Sequence, residues 1–420
     1  LATFPGDHSI ILLRSANVRR ISTHDAYSTV FPPSWNTGAA EDHRLLRRRS
    51  PAPIQICPRT MSLPHSEGHG MSEGDNADFL KVCDELCYEL SSLQELACRG
   101  AWRSILDKVA QARSRSLLSK PHEHLVYLAY NAIALTKLRR FSEAVAELEL
   151  VEKGLDIYRY EAYPHHYPNR HGSMAPFVLR WLYAELPSRI GKRQESLDRF
   201  YMLLQFIREK LAKNLPDASR AVWRKREGLV INSIISHHLS HKEFKVCLDL
   251  IKELINHDLT PVARATLMTK LGYIQMQYGD LDGARGTFNG IEGIVTEGKG
   301  EIVMQNLVNR NKALMFLVEK DYVSAVMEYQ KCIDRDVSDV IAINNKALCL
   351  MYMRDLSDSI KVMENALERI PTYALNETFV VNLCSMYELA YVNHSDIKKT
   401  LGSWIARVAP DDFDTSCTRI

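Results

Sequence analysis

The sequence of 420 residues has no apolar run near the roughly 18–20 residues that a membrane span needs. It has no Cys-x-x-Cys pair: its nine cysteines stand singly at 57, 83, 87, 98, 247, 332, 349, 384 and 417. That scatter excludes a zinc ribbon or a disulfide framework and reads as reduced thiols. It has almost no net charge, +2, so no global field for nucleic acid is present. Gly-x-Ser-x-Gly, His-Glu-x-x-His and the kinase motifs are also missing. The glycine-rich "GDLDGARGTFNGIEGIVTEGKGE" is not a phosphate loop, because Lys299 is followed by Gly300 and no strand precedes it. Its first glycines read as a turn and its later ones as a loop. The chain therefore reads as non-catalytic and cofactor-free.

Lysine is absent from the first seventy residues, which carry eight arginines, five acids and seven of the sixteen prolines. Their net charge is +3, which leaves −1 for the remainder. Three readings compete here: a disordered tail, an arginine-rich transit peptide, or in-frame upstream sequence with the start at Met61 or Met71. Five acids weigh against a transit peptide. The expectation is a tail over residues 1–75 with no folding consequence.

From Asp78 onward, apolar residues recur three and four apart between short polar turns. "NRNKALMFLVEKDYVSAVMEYQKCIDRDV" and "INNKALCLMYMRDLSDSIKVMENALERIP" align at a spacing of thirty-four: Asn311 with Asn345, Ala313 with Ala347, Tyr329 with Met363, Val337 with Pro371. Thirty-four is the tetratricopeptide period. Two antiparallel helices cross closely only where small side chains meet, and the two small residues lie twelve apart. Ala313 and Ala325 satisfy this, as do Ala347 and Ser359, Gly272 and Ala284, Ala132 and Ala144, Ala184 and Ser196. Weaker copies place Cys247 and Ile105 at the second-helix position. The markers at 105, 144, 196, 247, 284, 325 and 359 predict about seven helix pairs over 76–375, with a loop insertion at 154–178. Residues 376–420 read as capping helices and a tail, since stacked pairs cannot bury their end faces alone. The fold class is all-α, a right-handed solenoid of tetratricopeptide-like pairs.

Three places invite a site. His237 and His241 are one helical turn apart, with His238 between them, but no carboxylate or third ligand stands at a useful spacing and a capping or solvent-facing role is expected. Cys83 and Cys87 read as small core residues. Arg310, Asn311, Lys312, Asn344, Asn345 and Lys346 lie on adjacent first helices, where they could grip a peptide carboxylate. The competing expectation is that these asparagines satisfy groups between repeats, and only Lys270 stands at a comparable third place.

The segment 163–180, "YPHHYPNRHGSMAPFVLR", departs most from the repeats. Prolines favour a rigid excursion. Tyr163, Tyr167, Met174 and Phe177 supply apolar anchors, and Arg170 and Arg180 supply donors, the types enriched at interfaces. A docking loop, or one tucked against its own helices, is expected over a metal at His165, His166 and His171.

"YPHHYPNRHGSMAPF" resembles the YPxxYPxRxGSMxPF loop of the family of subunit twelve of the transport protein particle (TRAPP) complex. Gln194–Arg199, "NLCSMYEL" at 382–389 and "DDFDTSC" at 411–417 resemble it too. Asn169 occupies one of the open places of that pattern, where glycine is expected. The resemblance implies a non-catalytic scaffold subunit of a vesicle-tethering complex in ER-to-Golgi transport and autophagy. Its partners would be other tethering subunits and, indirectly, a Rab GTPase whose nucleotide exchange those subunits perform. It implies a cytoplasmic protein held peripherally at ER–Golgi intermediate and Golgi membranes, with no nucleic acid bound and no membrane insertion. The alternative is a cochaperone-like adaptor that captures peptide C-termini.

Overall fold

The structure, a computed structural model, describes residues 90–152, 158–257, 259–297 and 302–419. The expected tail, Cys83, Cys87, Lys299 and Gly300 lie outside these residues. Among the described residues every regular element is helical, apart from one isolated bridge between Arg159 and Ser173.

The chain forms two compact units. One comprises Thr23–Lys192 with Leu211–Arg226, described from residue 90 on. It contains α1 (Leu90–Arg99), α2 (Trp102–Ser114), α3 (Pro121–Lys137), α4 (Phe141–Glu152) and α5 (Phe177–Arg189). Here α3 is buried without a break from Leu125 to Leu135, because α2, α4 and α5 all pack on it. A helix apolar on every side is the one that neighbours enclose.

The other unit holds α6 (Arg193–Leu211), the later part of α7 (Asp217–Ser240), α8 (Phe244–Ile255), α9 (Pro261–Tyr278) and α10 (Leu281–Glu297). It continues through α11 (Ile302–Val318), α12 (Tyr322–Arg335), α13 (Val340–Tyr352), α14 (Leu356–Arg369) and the short α15 (Pro371–Ala374). It closes with α16 (Glu377–Ala390) and α17 (His394–Val408). From α8 to α14 each helix packs on the next, and α16 then covers α14. The α16–α17 pair and the turn Thr415–Thr418 bury Val380, Cys384, Ile405 and Cys417 together. This is the tetratricopeptide architecture, an all-α stack of helix pairs.

All seven second-helix markers are fully buried, Ile105, Ala144, Ser196, Cys247, Ala284, Ala325 and Ser359 alike. The Ser359 hydroxyl donates to the Ala347 carbonyl at 2.6 Å and the Cys247 thiol to that of Ile235 at 3.6 Å, each bond spanning twelve residues. A Cβ on Gly272 would stand 2.2 Å from the Phe288 ring, so glycine here admits the ring of the second helix. Leu93 and Ile235 complete the first-helix positions. Neither is small, which hid them from a search for alanine and glycine.

Five residues before each marker the backbone enters the left-handed region: Gly100, Arg139, Gly191, Lys242, Gly279, Lys320 and Arg354. In each case the next residue's N–H closes on a carbonyl five residues back, as Asp321 does on Phe316 at 2.9 Å and Asp355 on Leu350 at 3.0 Å. These bonds satisfy orphan carbonyls at the end of the first helix. Asp321 and Asp355 then accept the N–H of Ser324 and Asp358, so one residue ends one helix and caps the next. Gly290 and Gly293, expected in a loop, lie inside α10, which runs to Glu297. The apolar period carried by Phe288 and Ile291, both buried, outweighs the helix-breaking tendency of those glycines.

Candidate partner-binding site

The segment after α4 is tied down before it reaches α5. Tyr160 donates its N–H to the Gly172 carbonyl at 2.9 Å, and Met174 donates to Tyr158 at 2.8 Å, so the two ends of the excursion pair. Glu161 accepts from Arg159 at 2.9 Å and from the Gly172 N–H at 3.0 Å. The Arg159 bond, then those backbone donors, hold the Glu161 carboxyl down at about 2. Between these ends the chain makes a compact turn, with Tyr167 donating its N–H to the Tyr163 carbonyl at 3.1 Å. Asn169 has φ 61°, in the left-handed region that glycine fills most easily. Asparagine is the non-glycine residue best suited to it, which accounts for the departure from the family pattern.

Tyr167 is the pin. Its ring is buried, edge-on to Tyr160 at 5.0 Å and to His122 at 5.5 Å between centroids. Its hydroxyl accepts the backbone N–H of His122 at 3.2 Å, satisfying a donor in the first turn of α3. The hydroxyl proton is then free to donate to His122 Nδ1, 2.5 Å away, which requires a neutral imidazole with Nδ1 as acceptor. Burial, above all, lowers the His122 pKa, and the nearby charges of Lys120 and Arg170 act in the same direction against Glu123.

The six residues expected to face a partner divide accordingly. Tyr167, Met174 and Phe177 are buried and anchor the loop to its own unit. Tyr163 is half-buried and lines a cleft of about 510 Å³ with Leu118, Leu125, Leu128, Tyr158 and His166. Arg170 is exposed, its guanidinium 5.9 Å from the Tyr160 ring centre. Arg180 is half-buried on α5, beside Arg226. His165, His166 and His171 are all exposed.

Among the described residues, ligand-type atoms converge at Glu227, Glu253 and His257. The Arg208 guanidinium already bridges the two carboxylates there. At the end of α7, His238 lies between Tyr201 (3.0 Å) and Glu243, which also takes Arg193 at 2.6 Å. His241 Nδ1 turns back to the His237 carbonyl at 3.2 Å, in the capping role expected.

The residues that could grip a carboxylate have partners within the repeats in this structure. Buried Asn311 donates to Thr269 at 3.0 Å and accepts from Tyr273 at 3.2 Å. Asn344 accepts from Asn382 at 2.9 Å, and Asn345 donates to Tyr329 at 3.2 Å. Arg310 is drawn onto buried Asp339 at 3.2 Å, Lys312 pairs with Glu292, and Lys346 reaches Gln330 at 2.5 Å. Lys270 reaches Asn232 at 3.3 Å. These polar groups lock neighbouring helices together, as an unsatisfied buried amide would be costly.

Comparison with known proteins gives a consistent result. No family model matches the chain. The mouse protein named trafficking protein particle complex subunit 12 is 29% identical over 355 residues, covering 78% of this chain and 44% of that protein. Its human counterpart of the same name matches equally, over 48% of its length. The chain is a sequence relative of subunit 12 of the trafficking protein particle complex. It spans just under half the length of these curated relatives. Solved structures are more distant: a human IFIT1 dimer with m7Gppp-AAAA is 15% identical at TM-score 0.37, over 74% of this chain and 66% of that one. No helix among the described residues is long and apolar enough to cross a membrane.

Proposed function

We propose that this chain is a non-catalytic scaffold subunit of a tethering complex of the trafficking-protein-particle type. It would join other subunits of that complex and act in ER-to-Golgi transport and autophagy. Support for Rab nucleotide exchange, carried out by those other subunits, is part of the same reading, as is peripheral residence at ER–Golgi and Golgi membranes. The observation that carries it is the 29% identity to the subunit 12 proteins over 355 residues. The loop supports it physically. A braced excursion presents Tyr163 and Arg170 with little conformational freedom left to lose on binding. The test is affinity purification of the tagged chain from cells followed by mass spectrometry. Other tethering subunits should be recovered in stoichiometric amounts. Recovery of heat-shock chaperones through their extreme C-termini, without tethering subunits, would sink the proposal in favour of a cochaperone-like adaptor.

A further inference from the structure

α7 is 24 residues long, yet none of its first ten residues, Asp217–Arg226, is buried. This stretch holds Arg220, Arg224, Lys225 and Arg226 against one acid, Asp217. Its inner edge meets α5. There the Arg226 guanidinium lies 4.6 Å from the centre of the Trp223 ring and 4.9 Å from that of Phe177. The two rings stand perpendicular, 6.4 Å apart, and wall the cation on two sides. Arg226 Nε is buried without a hydrogen-bond partner, and no carboxylate among the described residues pairs with this side chain. The charge that acts on it is a second cation, Arg180. Burial, then Arg180, lowers the Arg226 pKa to about 10, so the side chain stays charged at neutral pH.

A guanidinium taken out of water with no anion is unfavourable, and ring faces compensate only part of that cost. Several half-buried arginines differ: Arg310 has Asp339, Arg193 has Glu243, and Arg199 has Glu195. Arg226 has no such acid among the described residues. We infer that Arg226, walled by the Trp223 and Phe177 rings with Arg180 beside it, is a docking site for an acidic segment of a partner polypeptide. One glutamate or aspartate carboxylate seats against Arg226. A carboxylate supplies the missing acceptors to a guanidinium fork. The recessed position selects a projecting side chain over the flat charge of a lipid surface. Residues 71–420 carry only −1 net, so there is no broad positive field for a nucleic-acid backbone. This site adjoins the end of the loop, from which Phe177 and Arg180 come, and its argument does not depend on the tether proposal.

The experiment is fluorescence anisotropy of a fluorescein-labelled deca-glutamate peptide with the full chain, at low and high salt, alongside thermal melting. The peptide should bind, more weakly as salt rises. Arg226→Met should weaken binding about tenfold or more while raising the melting midpoint, since it removes an unpaired, half-buried charge. Arg226→Lys should bind between the two. Unchanged peptide binding by Arg226→Met overturns the inference. A lowered midpoint in Arg226→Met also overturns it, because the arginine is then only an internal brace. So does tighter, Arg226-dependent binding of phosphatidylserine vesicles or single-stranded DNA than of the peptide.

Discussion

The helix pairs from Pro261 to Arg369 and the excursion from Tyr158 to Phe177 both present well-buried side chains, but different rules order them. In the pairs, small residues at a fixed spacing let two backbones approach, a ring or methionine four residues on fills the gap, and each pair leans on the next. Tyr329 and Met363, at that plug position, are both fully buried. In the excursion no spacing recurs, and order comes from individual contacts made across long stretches of chain, chiefly Tyr167 to His122, 45 residues apart. The difference teaches where damage should travel. A fault in the pairs propagates through neighbours, whereas a fault in the excursion should stay local.

The largest effect is expected from Ala347→Arg. Ala347 is fully buried at the crossing with Ser359, so the change combines overpacking, ~1–3 kcal/mol, with burial of an unpaired charge. Circular dichroism should show helix loss beyond α13 and α14; an unchanged melt would mean that the crossing is not where the stack is held. Tyr167→Ala comes next, at about 2–4 kcal/mol, and Tyr167→Phe, which deletes only the hydroxyl, at about 1 kcal/mol. Hydrogen exchange should rise in 158–176 and the first turn of α3, with α11 to α14 unaffected; spread into those helices would erase the contrast between the regions.

The same contact carries a pH dependence. Because burial lowers the His122 pKa below its value in the unfolded chain, stability is complete above about pH 6.5 and falls as acid protonates Nδ1. Melting of the wild type should therefore weaken on acidification to pH 5 by more than melting of His122→Asn; parallel curves would count against the neutral imidazole.

The smallest effect sharpens the rule for the turns. Lys320→Gly should raise the midpoint by about 1 °C, since glycine accepts φ 65° without a Cβ penalty, while Gly279→Val should lower it. A fall in Lys320→Gly would show that the lysine makes a contact worth more than its strain.

The paired helices were legible because close crossing restricts residue size, and size is visible in a sequence. The turns were half hidden, since glycine marks only Gly100, Gly191 and Gly279, while charged residues adopt the same conformation at four others. In the excursion, composition pointed to a special loop but could not separate Tyr167, which is buried, from Arg170, which is not. Outside a regular element there is no period to say which side chain faces inward. Arg226 left no signal at all: a run of cations reads as a solvated surface until the rings of Trp223 and Phe177 are seen around one of them.

The left-handed turns have a consequence for how this chain can be lengthened or cut. The count from turn to second-helix marker is five in every pair, yet the interval from one marker to the next ranges from 34 to 52 residues. Extra residues have been accommodated in the joints between pairs and in longer helices such as α6 and α7, never between a turn and its marker. A tag, a protease site or a fluorescent reporter spliced between Ala212 and Pro216 should therefore leave the stack intact. The same insertion at Lys320 would shift one helix out of phase with its mate.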